Sequence, residues 1–427
     1  MKNIAAISLL LLAIVSSVML ISCKPTVGST NSNLAFLYKK EKGFLHPEYQ
    51  PIHISDEITE VHFKFRSSEL LYTKSPANES FLAKYTLAWM LLDEYGSVQI
   101  HDSGSVTFED QFNKDPDKMI LGSVKIKAPS GKKYLLAIEL ADLHRSQKHT
   151  QYIYIEKTNT QEHQNYSLCS GASPARLLFR STVSLNEPVR FAHRNKEQSL
   201  FVRYYNREFP LPPPPFSYFT PKGFDFKADS FYKLNAANDT FNFSALQPGI
   251  YHFQTDTSKV SGFTIFCYAE NYPKMKTYEG MIAPIRYLTT KNEYEKMLRY
   301  PNSKAAVDSF WLSCAGSVDR GKDLIRKYYS RIHEANSLFS SYLEGWKSDR
   351  GIVFVIYGPP NAVYRNEKGE NWVYGEENNL NSLTFSFTRF DNPFTTNDYR
   401  LERSSTYQDG WYKAANAWRE GRVFIDN

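Results

Sequence analysis

The sequence predicts a mainly β protein with a C-terminal α+β domain, that is, two antiparallel β-sandwich domains followed by a mixed helix and sheet unit. Three observations carry this. Tyr and Phe number 29 each against 7 Met, a bias toward residues that suit a pleated strand. Apolar residues alternate over short runs as far as residue 268, separated by turn residues, as in an antiparallel sandwich. From about residue 280 their spacing changes to that of one helix face. A chain of 427 residues that is 42% hydrophobic and 22% charged is neither disordered nor fibrous, and its length suits two or three domains of roughly 150 residues. A formal charge of +6 from 51 basic and 45 acidic residues gives no case for nucleic-acid binding, which needs basic residues clustered on one face.

Residues 1–22 read as an export signal. Met1-Lys2 is a short positive start, and Ala5 to Ile21 is an uncharged apolar run that is marginally too short for a membrane span. Its end, Leu20-Ile21-Ser22-Cys23, resembles the lipobox of bacterial lipoproteins. The resemblance implies cleavage before Cys23 and lipidation of that residue, so the partner expected first is the membrane, reached through acyl chains. Lys24, rather than Asp, follows the Cys, and no acidic residue occurs from Lys24 to Lys40. By analogy with known lipoproteins, this favours the outer membrane with the protein facing the periplasm, the cell surface being the alternative. Residues 23–44 are expected to be the lipidated Cys and a flexible tether, because Gly, Ser, Thr and Asn bury too little surface to order a backbone.

The first sandwich is expected over residues 45–163. Glu60 to Phe65, Phe81 to Leu92, Ser123 to Lys127, Lys133 to Leu140 and Tyr152 to Ile155 read as strands, with turns at Tyr95-Gly96-Ser97 and Pro129 to Lys132. The second is expected over 164–279, from runs at Ala175 to Thr182, Ser199 to Tyr205, Thr240 to Phe243, Gly249 to Thr255 and Gly262 to Tyr268. Between its strands lies Phe209-Pro-Leu-Pro-Pro-Pro-Pro-Phe216, which favours polyproline II and reads as a stiff edge connection rather than a docking ligand. Cys169, Cys267 and Cys314 are an odd number, so at least one thiol stays free; Cys169 and Cys267 either pair or are buried small residues.

The α+β unit is expected over 280–427. Val307, Phe310, Trp311 and Cys314 line one helix, capped at Ser303, and Leu324, Ile325, Tyr328, Ile332, Ala335 and Phe339 line a longer one. Gly351 to Tyr357 reads as a fully buried strand ended by Gly358-Pro359-Pro360, Asn371 to Tyr374 and Leu383 to Phe390 as further strands, and Trp411 to Trp418 as a last helix.

This region contains Glu344-Gly345-Trp346-Lys347-Ser348-Asp349-Arg350-Gly351, then Tyr357-Gly358-Pro359-Pro360, then Trp372-Val373-Tyr374. It resembles the GWxTD domain family, found in lipoproteins and other exported proteins of Bacteroidota and related bacteria; Ser348 stands where the family has Thr. The family has no established enzymatic activity for the resemblance to carry over. The residues themselves allow a structural reading: Gly345 caps the long helix, Trp346 covers its end or the sheet, and Ser348 and Asp349 make turn bonds at a helix-to-strand corner. Arg350 pairs with Asp349 or with an acidic group elsewhere. A sharper reading makes Ser348, Asp349 and Arg350 a ligand or catalytic site.

Recognisable chemistry is otherwise missing. There is no Gly-x-Ser-x-Gly elbow, Walker loop, His-Glu-x-x-His or Cys-x-x-Cys. The spacings of His46, His53 and His62, and of His144 and His149, do not stack imidazoles on a helix face, and Asp115-Pro116-Asp117 lacks the ligands of a calcium loop. No cofactor and no metal site are therefore expected. The leading expectation is a non-enzymatic outer-membrane lipoprotein acting as an accessory or scaffold subunit, with an outer-membrane β-barrel or other envelope protein as partner, within a machine that assembles or secretes outer-membrane proteins. The alternatives are a carbohydrate- or peptide-binding surface lipoprotein using exposed Trp or Tyr, and an enzyme seated in the C-terminal domain.

Overall fold

The structure, a computed structural model, describes residues 33–39, 45–74, 80–113, 115, 118–145, 147–218, 224–376, 379 and 382–423. The expected signal peptide and Cys23 lie outside the described residues. The fold is mainly β with a C-terminal region of helices and sheet.

In the first sandwich, a three-stranded antiparallel sheet of Glu48–His53, Ile58–Arg66 and Met119–Lys127 faces a second sheet. That sheet contains Thr73–Lys74, Phe81–Leu92, Ile100–Gln111, Lys133–Asp142 and Gln147–Glu156. Alternation decides which side chains point inward. Val61, Phe63 and Phe65 from one sheet meet Tyr85, Leu87, Leu136 and Ile138 from the other in one apolar core.

In the second sandwich, Thr182–Val183, Phe263–Cys267, Gly249–Gln254, Ser199–Tyr205 and Ser230–Asn235 form one sheet, and Phe241–Phe243, Val189–His193 and Tyr166–Ser170 the other. Phe191, Phe241, Phe253 and Phe263 fill the space between them. Pairing is antiparallel except between Thr182–Val183 and Phe266-Cys267. The strand expected over Ala175 to Thr182 does not form: Leu177 makes one isolated bridge to Cys169, and the bend at Gly171 to Pro174 keeps the run from continuing a ladder. Cys169, Cys267 and Cys314 are all free thiols.

The C-terminal region packs helices α1 (Tyr278–Ile285), α2 (Lys291–Leu298), α3 (Ser303–Ala315), α4 (Val318–Phe339), α5 (Asp349–Tyr357) and α6 (Gln408–Arg419) with an antiparallel sheet. The sheet order is Ala362–Asn366, Gly369–Tyr374, Leu383–Arg389, Tyr399–Leu401. The two apolar helix faces fall as the spacing predicts, with Val307 and Trp311 buried on α3 and Leu324, Tyr328, Ile332, Ala335 and Phe339 on α4. Asn302, one residue before the expected cap, closes α3.

Three expectations are corrected here. The run Gly351 to Tyr357 is not a strand but helix α5, buried from Arg350 to Ile356. A short apolar run fits a buried strand or a buried helix equally, and a helix surrounded by protein satisfies its own backbone. The Ser348 side chain caps its start. At its end Arg331 Nη1 donates to Val355 O and Ile356 O at 3.3 and 3.2 Å, and Trp418 Nε1 to Ile356 O at 3.0 Å. Gly345 does not cap α4, which stops at Phe339 with Ser340 as its cap. The corner is therefore helix to helix. The tether expected over 23–44 is interrupted: Ala35–Tyr38 form a turn of 3-10 helix, and Leu34, Ala35 and Tyr38 belong to the same apolar core as α4, α5 and Trp372.

Candidate functional site

The motif is built around the end of α4. Asn336, fully buried, accepts the Trp346 N–H at 3.2 Å and donates to Pro273 O at 2.8 Å. The chain then passes so close to α4 that a Cβ on Gly345 would lie 1.9 Å from Ala335 O; only glycine fits. Trp346 is buried, and its Nε1 donates to Glu344 Oε2 at 2.7 Å. Ser348 Oγ donates to Gly345 O at 2.7 Å and accepts from Gly351 N at 3.0 Å. The hydroxyl thus fixes the turn and caps α5 at once, which explains why Ser can stand in for Thr here.

Asp349 and Arg350 then diverge. They do not pair with each other. Asp349 Oδ2 accepts from Leu401 N at 2.9 Å, and Oδ1 pairs with Arg403. Burial pushes the Asp349 carboxyl up, against the opposing pull of Arg403 and the Leu401 N–H. Arg403 in turn donates to Pro213 O and Pro214 O at 2.7 and 2.8 Å, and Ser404 N to Pro215 O at 3.3 Å. Leu211 and Phe216 pack on the core of the C-terminal region. The proline segment is therefore a strut between the second sandwich and the C-terminal region.

Arg350 Nη1 meets Glu370 Oε1 at 3.1 Å, Nη2 bonds to Asn397, and the guanidinium lies 3.8 Å above the Tyr399 ring. Glu370, with no exposed side-chain surface, is the centre of the cluster. It accepts from Arg365 Nη2 at 2.8 Å, Tyr38 Oη at 2.7 Å and Trp372 Nε1 at 2.9 Å. Burial alone would raise its pKa, but Arg365, Arg350 and the donors from Tyr38 and Trp372 outweigh this and hold it at about 2. A buried carboxylate is tolerable only when so fully paired.

The remaining motif residues frame this cluster. Tyr357 packs at a tilt against the rings of Tyr374 and Phe385. Gly358, at φ 84°, ends α5, and its carbonyl accepts from Tyr374 Oη at 2.8 Å. Pro359 and Pro360 lead into strand Ala362–Asn366. Trp372, fully buried, packs on Tyr38, Phe339 and Phe387.

Sequence reasoning found the motif and missed its partners Tyr38, Arg365, Glu370, Asn397 and Arg403. One signal was readable: Glu370 and Trp372 are two apart on a strand, hence on one face. Among the described residues no three His, Cys, Asp or Glu side chains gather as a metal site would need. Among the described residues, a cleft of about 420 Å³ over Arg190 and Phe243 and one of about 170 Å³ beside Lys157 and Arg194 lie in the sandwiches, and neither is lined by a motif residue. Trp311, Trp346, Trp372, Trp411 and Trp418 are buried, and the partly exposed Trp89 is bonded to Asp102 at 3.1 Å.

A family model of the GWxTD domain matches residues 249–420. The chain therefore carries a GWxTD domain, and the match takes in strands Gly249–Gln254 and Phe263–Cys267 of the second sandwich. No curated protein matches the chain. Among solved structures, the C-terminal domain of the Streptococcus pyogenes antigen I/II-family protein AspA is similar at 8% identity and a TM-score of 0.16, over 52% of this chain and 98% of that one.

Proposed function

We propose that this chain is a non-enzymatic outer-membrane lipoprotein of the Bacteroidota type, facing the periplasm, that serves as a scaffold subunit for envelope proteins. The observation that carries the reading is what the motif's polar groups do. Ser348, Asp349 and Arg350 are engaged by internal partners, and through Arg403, Glu370 and Arg365 they hold the proline strut and the N-terminal segment on one domain. Chemistry of this kind fixes the relative position of chain segments, which is what a scaffold needs. Docking by strand addition suits the second sandwich: Ser230–Asn235 is an edge strand exposing Phe231 and Tyr232, and an edge offers unpaired backbone groups to a partner strand. The proposed partner is an outer-membrane β-barrel or a companion of one, in assembly or secretion.

The test is affinity purification of the full-length tagged protein from gently solubilised membranes. Stoichiometric co-elution of a β-barrel supports the reading, and consistent recovery as a free monomer sinks it. A Cys23→Ala form checks the anchor separately: it should leave the membrane fraction, and its retention there would remove the lipid anchor from the proposal.

A further inference from the structure

The smaller cleft, about 170 Å³, lies where the two sandwiches meet. His53, Asp56 and Ser130 line it from the first, Lys157 and Thr158 from the connection, and Arg194 from the second. Two of these are cations with little exposed surface. Lys157 is 4% exposed, and its ammonium has one hydrogen-bond acceptor among the described residues, Ser55 O at 2.7 Å. The Arg194 side chain is 10% exposed; it meets Asp56 at 2.7 Å, while its buried Nε has no partner among the described residues.

The carboxylates that bear on Lys157 are Asp56 and Glu57. Both are exposed, the Asp56 side chain 74% so. Asp56 is spent on Arg194, whose contact holds the Asp56 carboxyl below its usual value; neither carboxylate touches the Lys157 ammonium, and water screens what they exert on it from a distance. Burial, with Arg194 adding to it, lowers the Lys157 amine to about 8, the mark of a cation short of counter-charge. The His53 ring does not compete for a ligand, because Nδ1 and Nε2 are taken by Thr59 Oγ1 and Glu156 O, each at 2.9 Å. The Ser130 hydroxyl is likewise turned to Asp56 O at 3.0 Å. What remains is a polar cleft that holds an ammonium no carboxylate touches among the described residues, a guanidinium paired to Asp56 but with its Nε unbonded there, and room for several waters at roughly 30 Å³ each.

We propose that this cleft binds a small doubly charged oxyanion, phosphate or a phosphate monoester, between Lys157 and Arg194. A guanidinium and an ammonium together suit a tetrahedral anion, the first by its fork and the second as a point charge. The anion would tie the two sandwiches together at their junction. The same chemistry could come from a phospholipid headgroup, which differs in being a singly charged diester.

The test is calorimetric titration of the full chain, held in neutral detergent and phosphate-free buffer, with inorganic phosphate and separately with dimethyl phosphate as the headgroup stand-in. Phosphate should bind in the submillimolar range and the diester at least about tenfold more weakly. Lys157→Met should weaken phosphate binding by about tenfold or more. Asp56→Asn, at an exposed position, should strengthen it by about two- to fivefold by removing the competing carboxylate. Absence of binding to wild type at millimolar phosphate, binding unchanged or weakened by Asp56→Asn, or a diester that binds as well as phosphate would each overturn the assignment.

Discussion

Tyr38 and Glu370 are 332 positions apart in the chain, yet the phenol donates to the carboxylate at 2.7 Å. Arg365 Nη2 also reaches the same phenol oxygen at 2.9 Å. Residues of the segment that leads away from the expected lipid anchor, Leu34, Ala35 and Tyr38, are thus part of the core that the motif organises, and Leu34 N bonds to Val363 O of that domain at 2.8 Å.

Removing only the phenol oxygen should therefore be felt. Tyr38→Phe leaves Glu370 Oε2 with Trp372 alone and is expected to cost about 1–3 kcal/mol, the penalty of an under-satisfied buried polar group. Tyr38→Ala adds a cavity and should cost about 3–5 kcal/mol. Urea unfolding of both variants reads this directly. A Tyr38→Phe effect within about 0.5 kcal/mol, typical of surface positions, would show that the segment is not an integral part of the domain.

The motif's small residues should differ sharply in tolerance. Gly345→Ala drives a methyl into Ala335 O and should abolish folding or cost about 3 kcal/mol or more. Ser348→Ala loses the α5 cap and the bond to Gly345 O, for about 1–2 kcal/mol. Ser348→Thr keeps the hydroxyl and should fall within about 0.5 kcal/mol of wild type. Thermal melts of the three rank them, and a Thr variant as damaged as the Ala variant would refute the capping role.

Asp349 and Arg403 should respond asymmetrically. Asp349→Asn keeps an acceptor for Leu401 N and removes a carboxyl whose ionisation burial already disfavours. Arg403→Met strands that carboxylate and also frees Pro213 O and Pro214 O. We expect a cost of about 3–5 kcal/mol for Arg403→Met and clearly less for Asp349→Asn. Hydrogen exchange provides the local readout: the Ser404 amide, bonded to Pro215 O, should exchange faster in the Arg403 variant. Unchanged protection there would remove the strut from the account.

Which features were legible in the sequence follows from how local their causes are. Strand Ile58–Arg66 shows itself because every second residue is buried. Strand Ile100–Gln111 does not, since it holds few apolar residues and owes its place to backbone pairing with Phe81–Leu92. Helix α5 reads as a strand because a helix buried on all sides carries no period. The motif stood out by residue type, but its meaning did not: Asp349 and Arg350 take their partners from 54 and 20 positions away, and Glu370 draws on Tyr38 from a stretch that itself reads as tether. Long-range pairing of buried charges leaves no local trace.

Acid sensitivity follows from histidines that are buried neutral. His53 and His252 have the same setting: Nδ1 faces a Thr hydroxyl, Thr59 at 2.9 Å or Thr264 at 2.8 Å, and Nε2 faces a backbone carbonyl, Glu156 O at 2.9 Å or Val260 O at 3.0 Å. Burial lowers both to about 4, below an unfolded value near 6.5. The native state then binds fewer protons than the unfolded chain. Stability from these groups is complete above about pH 6.5 and is lost as pH falls to about 4, by at most roughly 3 kcal/mol each. Glu370, held at about 2, keeps its contribution over that window and loses it only as pH drops from about 4.3 toward 2. Asp349 and Asp398, both raised by burial, work in the opposite sense, so the histidine part must be isolated. Urea midpoints at pH 7, 5.5 and 4 for wild type and a His53→Gln, His252→Gln double variant do so. The wild-type midpoint should fall across the series, while the variant starts lower and changes less. Parallel curves would show that the two rings do not govern the acid response.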